Sequence, residues 1–158
     1  MELGDLRIVA DENRIVFLDD FRIGLRLQNR LQQIEGPINL SQDSPPAAIE
    51  RPLAPRGMMR GEWGLAFSVE RLSVSERLIG FLNTRSKYAR LGLETMGSSW
   101  LIAPGFGYND PTSVVFEVIA HNDLTGFSSH ISYAYTMFFE LDHPVRLDGR
   151  SYGGRFPH

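Results

Sequence analysis

The stretch Phe21-Arg22-Ile23-Gly24-Leu25-Arg26-Leu27 decides the fold class. Its odd-numbered positions are all apolar, and its even-numbered positions hold only arginine and glycine. A period of two residues is typical of a half-buried β-strand, because successive side chains point to opposite faces of a sheet. The stretch therefore predicts a strand with its apolar face on a core and its arginines toward solvent.

Similar short runs rich in Val, Ile, Phe, Tyr and Leu recur along the chain, separated by clusters of glycine and proline. These runs cover residues 14–18, 65–69, 113–119 and 131–141. Short strands punctuated by turns are typical of all-β sandwiches and barrels. A chain of 158 residues has the size of one domain and can bury a sizeable core. We therefore expect a single mainly β domain over residues 1–158.

Two segments lack the strand pattern. Residues 36–57 hold most of the nine prolines and few periodic apolar residues, which predicts a surface loop. Residues 147–158 are rich in glycine and contain no core residues. This tail is expected to be either a frayed end or a segment that becomes ordered over something else.

Charge and hydropathy narrow the function classes. The formal net charge is −3, whereas a broad nucleic-acid surface normally leaves a basic excess, so nucleic-acid binding is disfavoured. A few local arginines would still suffice for a small anion. The chain has no apolar run long enough for a membrane span and no secretory signal pattern at its start. The expected location is therefore the cytoplasm.

Cysteine is absent from the chain. Its absence removes disulfide scaffolds, thiol nucleophiles and thiolate metal sites, and with them the zinc nucleobase deaminases, which hold their metal through a C-x-x-C pair. The four histidines show no H-E-x-x-H motif and no helical i, i+4 spacing. No metal-ligating residues are predicted.

Residues 84–93 are predicted to form one or two helical turns. Thr84 is a candidate cap for the start of this helix, and Gly92 is a candidate for its end.

Arg85 and Ser86 stand at the start of the predicted helix, where free backbone N–H groups favour an anion. Arg90 follows Ser86 by four residues, so both can face the same side. These residues could form a phosphate cradle, but periodicity alone favours a solvated helix with a capping threonine.

Glu117 interrupts the otherwise apolar run of residues 113–120. A carboxylate in such a strand either faces solvent or is held in a functional site. The solvent-facing position is the commoner one for an isolated sequence.

Taken together, several segments resemble the dCTP deaminase/trimeric dUTPase superfamily. They are residues 63–93 with the core R-S-x-x-A-R-L-G-L, then Ile102-x-Pro-Gly-Phe106, Phe116-Glu-Val118, His121-Asn122, the strand Phe21–Gln28 and the tail Tyr152-Gly-Gly-Arg155. The resemblance is closer to the deaminase branch and covers residues 14–158. It implies a distorted β-barrel or jelly-roll-like fold with a short helix near residues 84–91.

The resemblance also implies a homotrimer with active sites between subunits. In the deaminase branch, a cytosine deoxynucleotide loses its 4-amino group without zinc, and Mg²⁺ accompanies the triphosphate. The implied catalytic residues are Glu117 as general acid and base, with Ser86 and Arg90 completing the site. One glutamate can shuttle all the protons of this reaction.

The remaining site residues follow from the same resemblance. Arg85 matches a phosphate-binding arginine, and Ser99 matches the residue whose carbonyl helps to hold the attacking water. Lys87 replaces the second serine of the helix and is counted with the substrate-binding residues. Tyr152 and Arg155 match the tail that covers the phosphates.

Several positions depart from the family pattern. Gly24 and Ala103 stand where the family has aspartates, and Leu101 stands where deaminases have an arginine. In dUTPases, the aspartate at the position of Ala103 supplies the base that activates water. Residues 134–136 also lack the glutamine that often reads the base.

Three functions therefore stay open. Retention of Glu117 favours deamination of dCTP or a related nucleotide. A dUTP diphosphatase would need a replacement for the base lost at Ala103. A non-catalytic member that binds a nucleotide or a protein would be compatible with the losses at Gly24, Leu101 and Ala103.

Overall fold

The structure is a computed structural model that describes residues 2–3, 5–10, 15–36, 41, 47–95 and 100–146. Its elements are β1 (Glu2–Leu3), β2 (Leu6–Val9), β3 (Val16–Phe17), β4 (Ile23–Ile34), β5 (Ala48–Arg51), β6 (Trp63–Val74), β7 (Leu78–Thr84), α1 (Ser86–Ala89), β8 (Leu93–Glu94), β9 (Leu101–Ile102), β10 (Thr112–Ala120) and β11 (Ser132–Glu140). The predicted mainly β fold with one short helix is confirmed. No helix in the described ranges has the length and apolarity needed to cross a membrane.

All the strand pairs are antiparallel, and they divide into two wings that share β4. The β6 wing contains β1, β2, β5, β6, β8 and β10, and the β11 wing contains β3, β7, β9 and β11. The first residues of β4, Ile23 to Arg26, pair with β11, and Leu27 to Gln32 pair with β6. The register shifts within β4 and β11, and such bulges bend strands, so the sheet curls into a half-barrel.

The core lies inside this curl and is lined mainly by aliphatic side chains of β2, β4, β6, β10 and β11. Leu25, Leu72 and Phe116 are among its fully buried members. Removing such side chains from water is the main stabilising contribution in a fold of this kind.

Arg26 is buried, although the alternation of residues 21–27 predicts a solvent-facing side chain. Its Nε lies 2.7 Å from Oε1 of Glu70, and its backbone N–H donates to Oε2 of the same carboxylate at 2.8 Å. The two side chains are only 4% and 0% exposed. The prediction is wrong here because β4 passes between the two wings and is covered on both faces. Burial of the charge is tolerated because Glu70 neutralises it.

Two segment predictions need correction. Residues 36–57 were predicted as a loop, but residues 48–51 form β5, which pairs with β4 from Leu31 to Ile34. Residues 37–40 and 42–46 lie outside the described residues, as does the tail 147–158. The run at 14–18 yields only the two residues of β3.

Candidate functional site

Glu117 lies on the outer face of the β6 wing. Along β10, Val114, Phe116, Val118 and Ala120 are buried on the core side, and Glu117 belongs to the alternate, half-buried set. Its cross-strand partner on β6 is Leu65. The neighbouring pairs on the same face are Val115 with Phe67 and Ile119 with Trp63. Its nearest neighbours on this face of the two strands are therefore apolar side chains.

The helix that follows β7 is shorter than predicted and is not capped by Thr84. The N-cap residue is Arg85, with extended backbone (φ −65°, ψ 130°) and no side-chain cap. Thr84 is instead a buried residue at the end of β7. Its Oγ1 lies 2.9 Å from Oγ1 of Thr95 and accepts the Thr95 N–H at 3.0 Å. The prediction of a threonine cap is wrong because this hydroxyl joins β7 to the chain beyond β8.

Arg85 is held against the start of β11. Its backbone N–H donates to the carbonyl of Tyr133 at 2.9 Å, and its Nη1 donates to the carbonyl of Ser132 at 3.0 Å. The guanidinium carbon is also 5.9 Å from the centre of the Tyr88 ring. The side chain is therefore oriented by the protein, and its remaining N–H groups have no partner in the described part of the chain.

Ser86, Lys87 and Arg90 are all exposed. The ammonium of Lys87 lies 5.5 Å from the centre of the Tyr88 ring. Within the described ranges, neither Ser86 nor Arg90 makes a side-chain hydrogen bond or ion pair. The chain thus does not join these two side chains to Glu117 by direct polar contact.

The end of the helix is nevertheless fixed to the end of β10, the strand that carries Glu117. The N–H of His121 donates to the carbonyl of Gly92 at 2.7 Å, and Nδ2 of Asn122 donates to the carbonyl of Leu91 at 3.0 Å. Gly92 has φ +92°, and a Cβ there would lie 2.8 Å from Asn122 Nδ2. Both the turn and the close approach therefore require glycine. These contacts hold the helix against one end of the strand.

The segment after the helix continues this contact as β8. Ile119 and Ala120 of β10 pair with Glu94 and Leu93. His121 Nε2 also lies 3.0 Å from Glu94 Oε2, at an exposed position. The helix and the Glu117 strand are therefore parts of one rigid corner of the β6 wing.

The structure shows the surroundings of three positions that differ from the pattern of the resembled superfamily. A Cβ at Gly24 would lie 2.6 Å from Ser132 Oγ and 3.2 Å from the carbonyl oxygen of Val16, so an aspartate there would require Ser132 and the neighbouring backbone to shift. Leu101 is exposed on β9, and Ala103 follows that strand in a turn. Ser99, Tyr152 and Arg155 lie outside the described residues.

An aromatic cluster lies next to the helix and corresponds to no predicted site. The ring of Tyr133 lies 4.8 Å from that of Tyr88 and 5.5 Å from that of Phe127, centre to centre. Burial raises the pKa of Tyr133, against the opposing effect of the Ser128 N–H, which donates to its Oη at 2.8 Å. Tyr133 also lines a small cleft with Gln28 and Asn29. No sequence signal identifies this cluster, because its members come from three separate segments.

In the residues that the structure describes, no group of three or more His, Asp or Glu side chains lies together as a metal site would require. A search of protein-family models found no match.

One solved structure with a similar fold is the native EIAV dUTPase. It superposes with a TM-score of 0.54 at 8% sequence identity, over 89% of this chain and 92% of that one. The likeness shows that the chain has a dUTPase-like β fold.

Proposed function

We propose that this protein removes the 4-amino group of a cytosine deoxynucleotide, converting dCTP and water to dUTP and ammonia without zinc. The observation that carries the proposal is the position of Glu117, a half-buried carboxylate among apolar side chains on β10. Such surroundings limit the access of bulk water, so that a proton taken up by the carboxylate can be passed to the substrate.

In the proposed reaction, Glu117 takes a proton from water as the water oxygen bonds to C4 of the cytosine ring. Glu117 passes this proton to N3, which gives a tetrahedral carbon that bears both a hydroxyl and the amino group. Glu117 then takes the proton of the C4 hydroxyl and transfers it to the amino nitrogen, so that the C4–N4 bond breaks and ammonia leaves as the C4 carbonyl forms. Arg90 and the Ser86 hydroxyl orient the carboxylate and the water.

The triphosphate enters this proposal as its Mg²⁺ complex. Arg85 and Lys87 supply positive charge, and Arg85 is already oriented by the Ser132 carbonyl. A helix of four residues has too small a dipole to bind an anion by itself, so the side chains provide the affinity. The carbonyl of Ser99 would hold the attacking water, and Tyr152 and Arg155 would cover the phosphates.

A homotrimer belongs to the same proposal. Ser86 and Arg90 are exposed, and neither contacts a carboxylate of its own chain within the described residues. A neighbouring subunit that packs its helix against this face would bring them to Glu117. Known assemblies of the resembled family, with sites between subunits, support this arrangement.

Two alternatives give different products. A dUTP diphosphatase would release diphosphate, but Ala103 offers no carboxylate to activate water. A non-catalytic binding protein would release neither product. The loss of the family's arginine at Leu101 and of its aspartate at Gly24 leads us to expect weaker or altered selectivity for dCTP.

The test is incubation with dCTP, dUTP and dTTP in the presence of Mg²⁺, followed by chromatography and an ammonia assay. The proposal expects ammonia and dUTP from dCTP, and an increased KM in Arg85→Ala. Diphosphate release from dUTP would contradict the proposal and identify the protein as a dUTP diphosphatase. Absence of any product, together with no binding by calorimetry, would support the non-catalytic alternative.

A further inference from the structure

The outer face of the β11 wing carries an exposed aromatic patch, made of Phe81, Trp100, Leu101 and Phe139. The rings of Phe81 and Trp100 are stacked with centres 5.4 Å apart, and Phe139 meets Phe81 edge-on at 5.6 Å. Trp100 is 55% exposed and Phe139 is 53% exposed. Three aromatic rings thus contact one another on the surface.

The register of the strands fixes these side chains on the outside. Phe81 pairs with Met137 and with Leu101, and Ile79 pairs with Phe139, so all of them share one face. The alternate residues of β7, such as Leu82, are buried on the opposite face. The patch therefore results from the register of the strands and not from the displacement of a single side chain.

Contiguous apolar surface of this kind usually marks a place where another chain segment binds. The chain itself passes beside the patch after β11. The N–H of Leu141 donates to the carbonyl of Arg77 at 2.7 Å, and that of Val145 donates to the carbonyl of Glu76 at 2.9 Å. The last residue that the structure describes is Arg146, which lies close to the turn that leads into Ile79 and the patch.

Twelve residues, 147–158, follow in the sequence. An extended chain of this length reaches about 40 Å. Phe81, the patch residue on β7, is only five residues along the chain from Glu76, so the tail can reach all of the patch with length to spare.

The chemistry of the tail suits the patch. Tyr152 follows Arg150 by two residues, and Phe156 follows Arg155 directly. Aromatic rings pack on aromatic rings, and guanidinium groups stack on indole faces.

We propose that, in the nucleotide-free protein, the tail 147–158 docks on the aromatic patch of its own chain through Tyr152 and Phe156. Docking requires no nucleotide and no trimer, so it is independent of the proposed reaction.

Tryptophan fluorescence tests the proposal because the chain has two tryptophans, one on each wing. Trp63→Phe leaves Trp100 as the only reporter. The proposal expects that a chain ending at Arg146 shows Trp100 emission at longer wavelength and stronger acrylamide quenching than the full chain. Tyr152→Ser combined with Phe156→Ser in the full chain should reproduce the effect, whereas Ser151→Ala should not.

The matched control is Trp100→Phe, which leaves Trp63 as the reporter on the β6 wing. Its emission should be the same with and without the tail, which shows that truncation leaves the fold intact. Equal Trp100 quenching in the full and the truncated chain would overturn the proposal. Quenching that depends on protein concentration, and not on the tail, would also overturn it and assign the patch to contact between copies.

Discussion

The strands of both wings alternate between buried core residues and outer-face residues, but the outer-face side chains of the two wings differ in their exposure to solvent. On the β6 wing, Leu65 and Phe67 are each only 8% exposed, and the guanidinium of Arg30 lies 4.0 Å above the Phe67 ring, although Trp63 at the end of this face is 44% exposed. On the β11 wing, Trp100 and Phe139 remain more than half exposed. The better covered face is the one that carries Glu117, the base of the proposed reaction. The less covered face is the one on which we propose that the tail docks.

The largest expected effect that tests this comparison of the two faces is on the rate of dCTP turnover. Glu117→Gln keeps the shape of the side chain and removes its proton-shuttling ability, so we expect the rate of ammonia release from dCTP to fall by about 10²–10⁴-fold. Initial rates at saturating dCTP provide the measurement, and light scattering checks that the assembly is unchanged.

The matched control for this substitution is Glu94→Gln, in the strand paired with the end of β10. Glu94 is exposed and contacts His121, so its loss should leave the rate unchanged. A fully active Glu117→Gln variant would remove the functional distinction between the two faces.

The second effect is on folding stability. Phe67→Ala should lower the free energy of unfolding by about 3 kcal/mol, because it leaves a cavity under Arg30 on a covered face. Urea unfolding measures the change. A loss well below 1 kcal/mol would show that this face is not packed as described.

The third effect concerns the residue that precedes β6. Burial disfavours the charged form of Glu62, but the Met59 N–H, Arg51 and Gln33 donate hydrogen bonds that together lower its pKa. Arg51 Nη2 lies 2.7 Å from the carboxylate. Because the pKa in the folded state lies below the ordinary value of 4.5, the ionised group stabilises the fold above that pH, and the contribution is lost as the pH falls below it.

Glu62→Gln should therefore cost about 1–2 kcal/mol at pH 7 and much less at pH 3, as measured by urea unfolding at both values. The control on the other wing is Glu140→Gln, whose exposed ion pair should contribute nothing measurable at either pH. An equal loss for Glu62→Gln at both pH values would contradict the assignment.

The smallest effect is expected on the uncovered face. In the chain that ends at Arg146, which lacks the docking tail, Phe139→Ala should change the free energy of unfolding by less than about 1 kcal/mol, since more than half of the side chain is exposed. Compared in the same urea series, it should be clearly milder than Phe67→Ala. A loss as large as that of Phe67→Ala would mean that the two faces are equally buried.

The sequence identifies long strands that have clear apolar runs, but it assigns the residues of β5 to a loop. The period of residues 21–27 identifies the start of β4. The runs at 65–69 and 113–119 lie within β6 and β10, and the run at 131–141 extends one residue beyond each end of β11. Residues 48–51 show no such period because β5 lies at an edge with most of its side chains exposed. Its pairing with β4 depends on tertiary contact, which local pattern does not encode.

The candidate site shows the same limit. The motif at residues 85–93 is visible in the sequence, and its helix forms at residues 86–89. Periodicity does not reveal that Thr84 bonds to Thr95 or that Arg85 bonds to the Ser132 carbonyl, because these partners are distant in the chain. Whether Ser86 and Arg90 reach Glu117 in the proposed trimer depends on contacts between copies, which alternation along one chain does not determine.

The crowding at Gly24 couples two positions on neighbouring strands. A Cβ at position 24 would lie 2.6 Å from the hydroxyl oxygen of Ser132 and 3.0 Å from its Cβ. Any larger residue at position 24 therefore requires Ser132 to shift or to be replaced by a smaller residue. An engineer who wishes to place an acid at position 24 should vary positions 24 and 132 together, because a single substitution leaves this contact unrelieved.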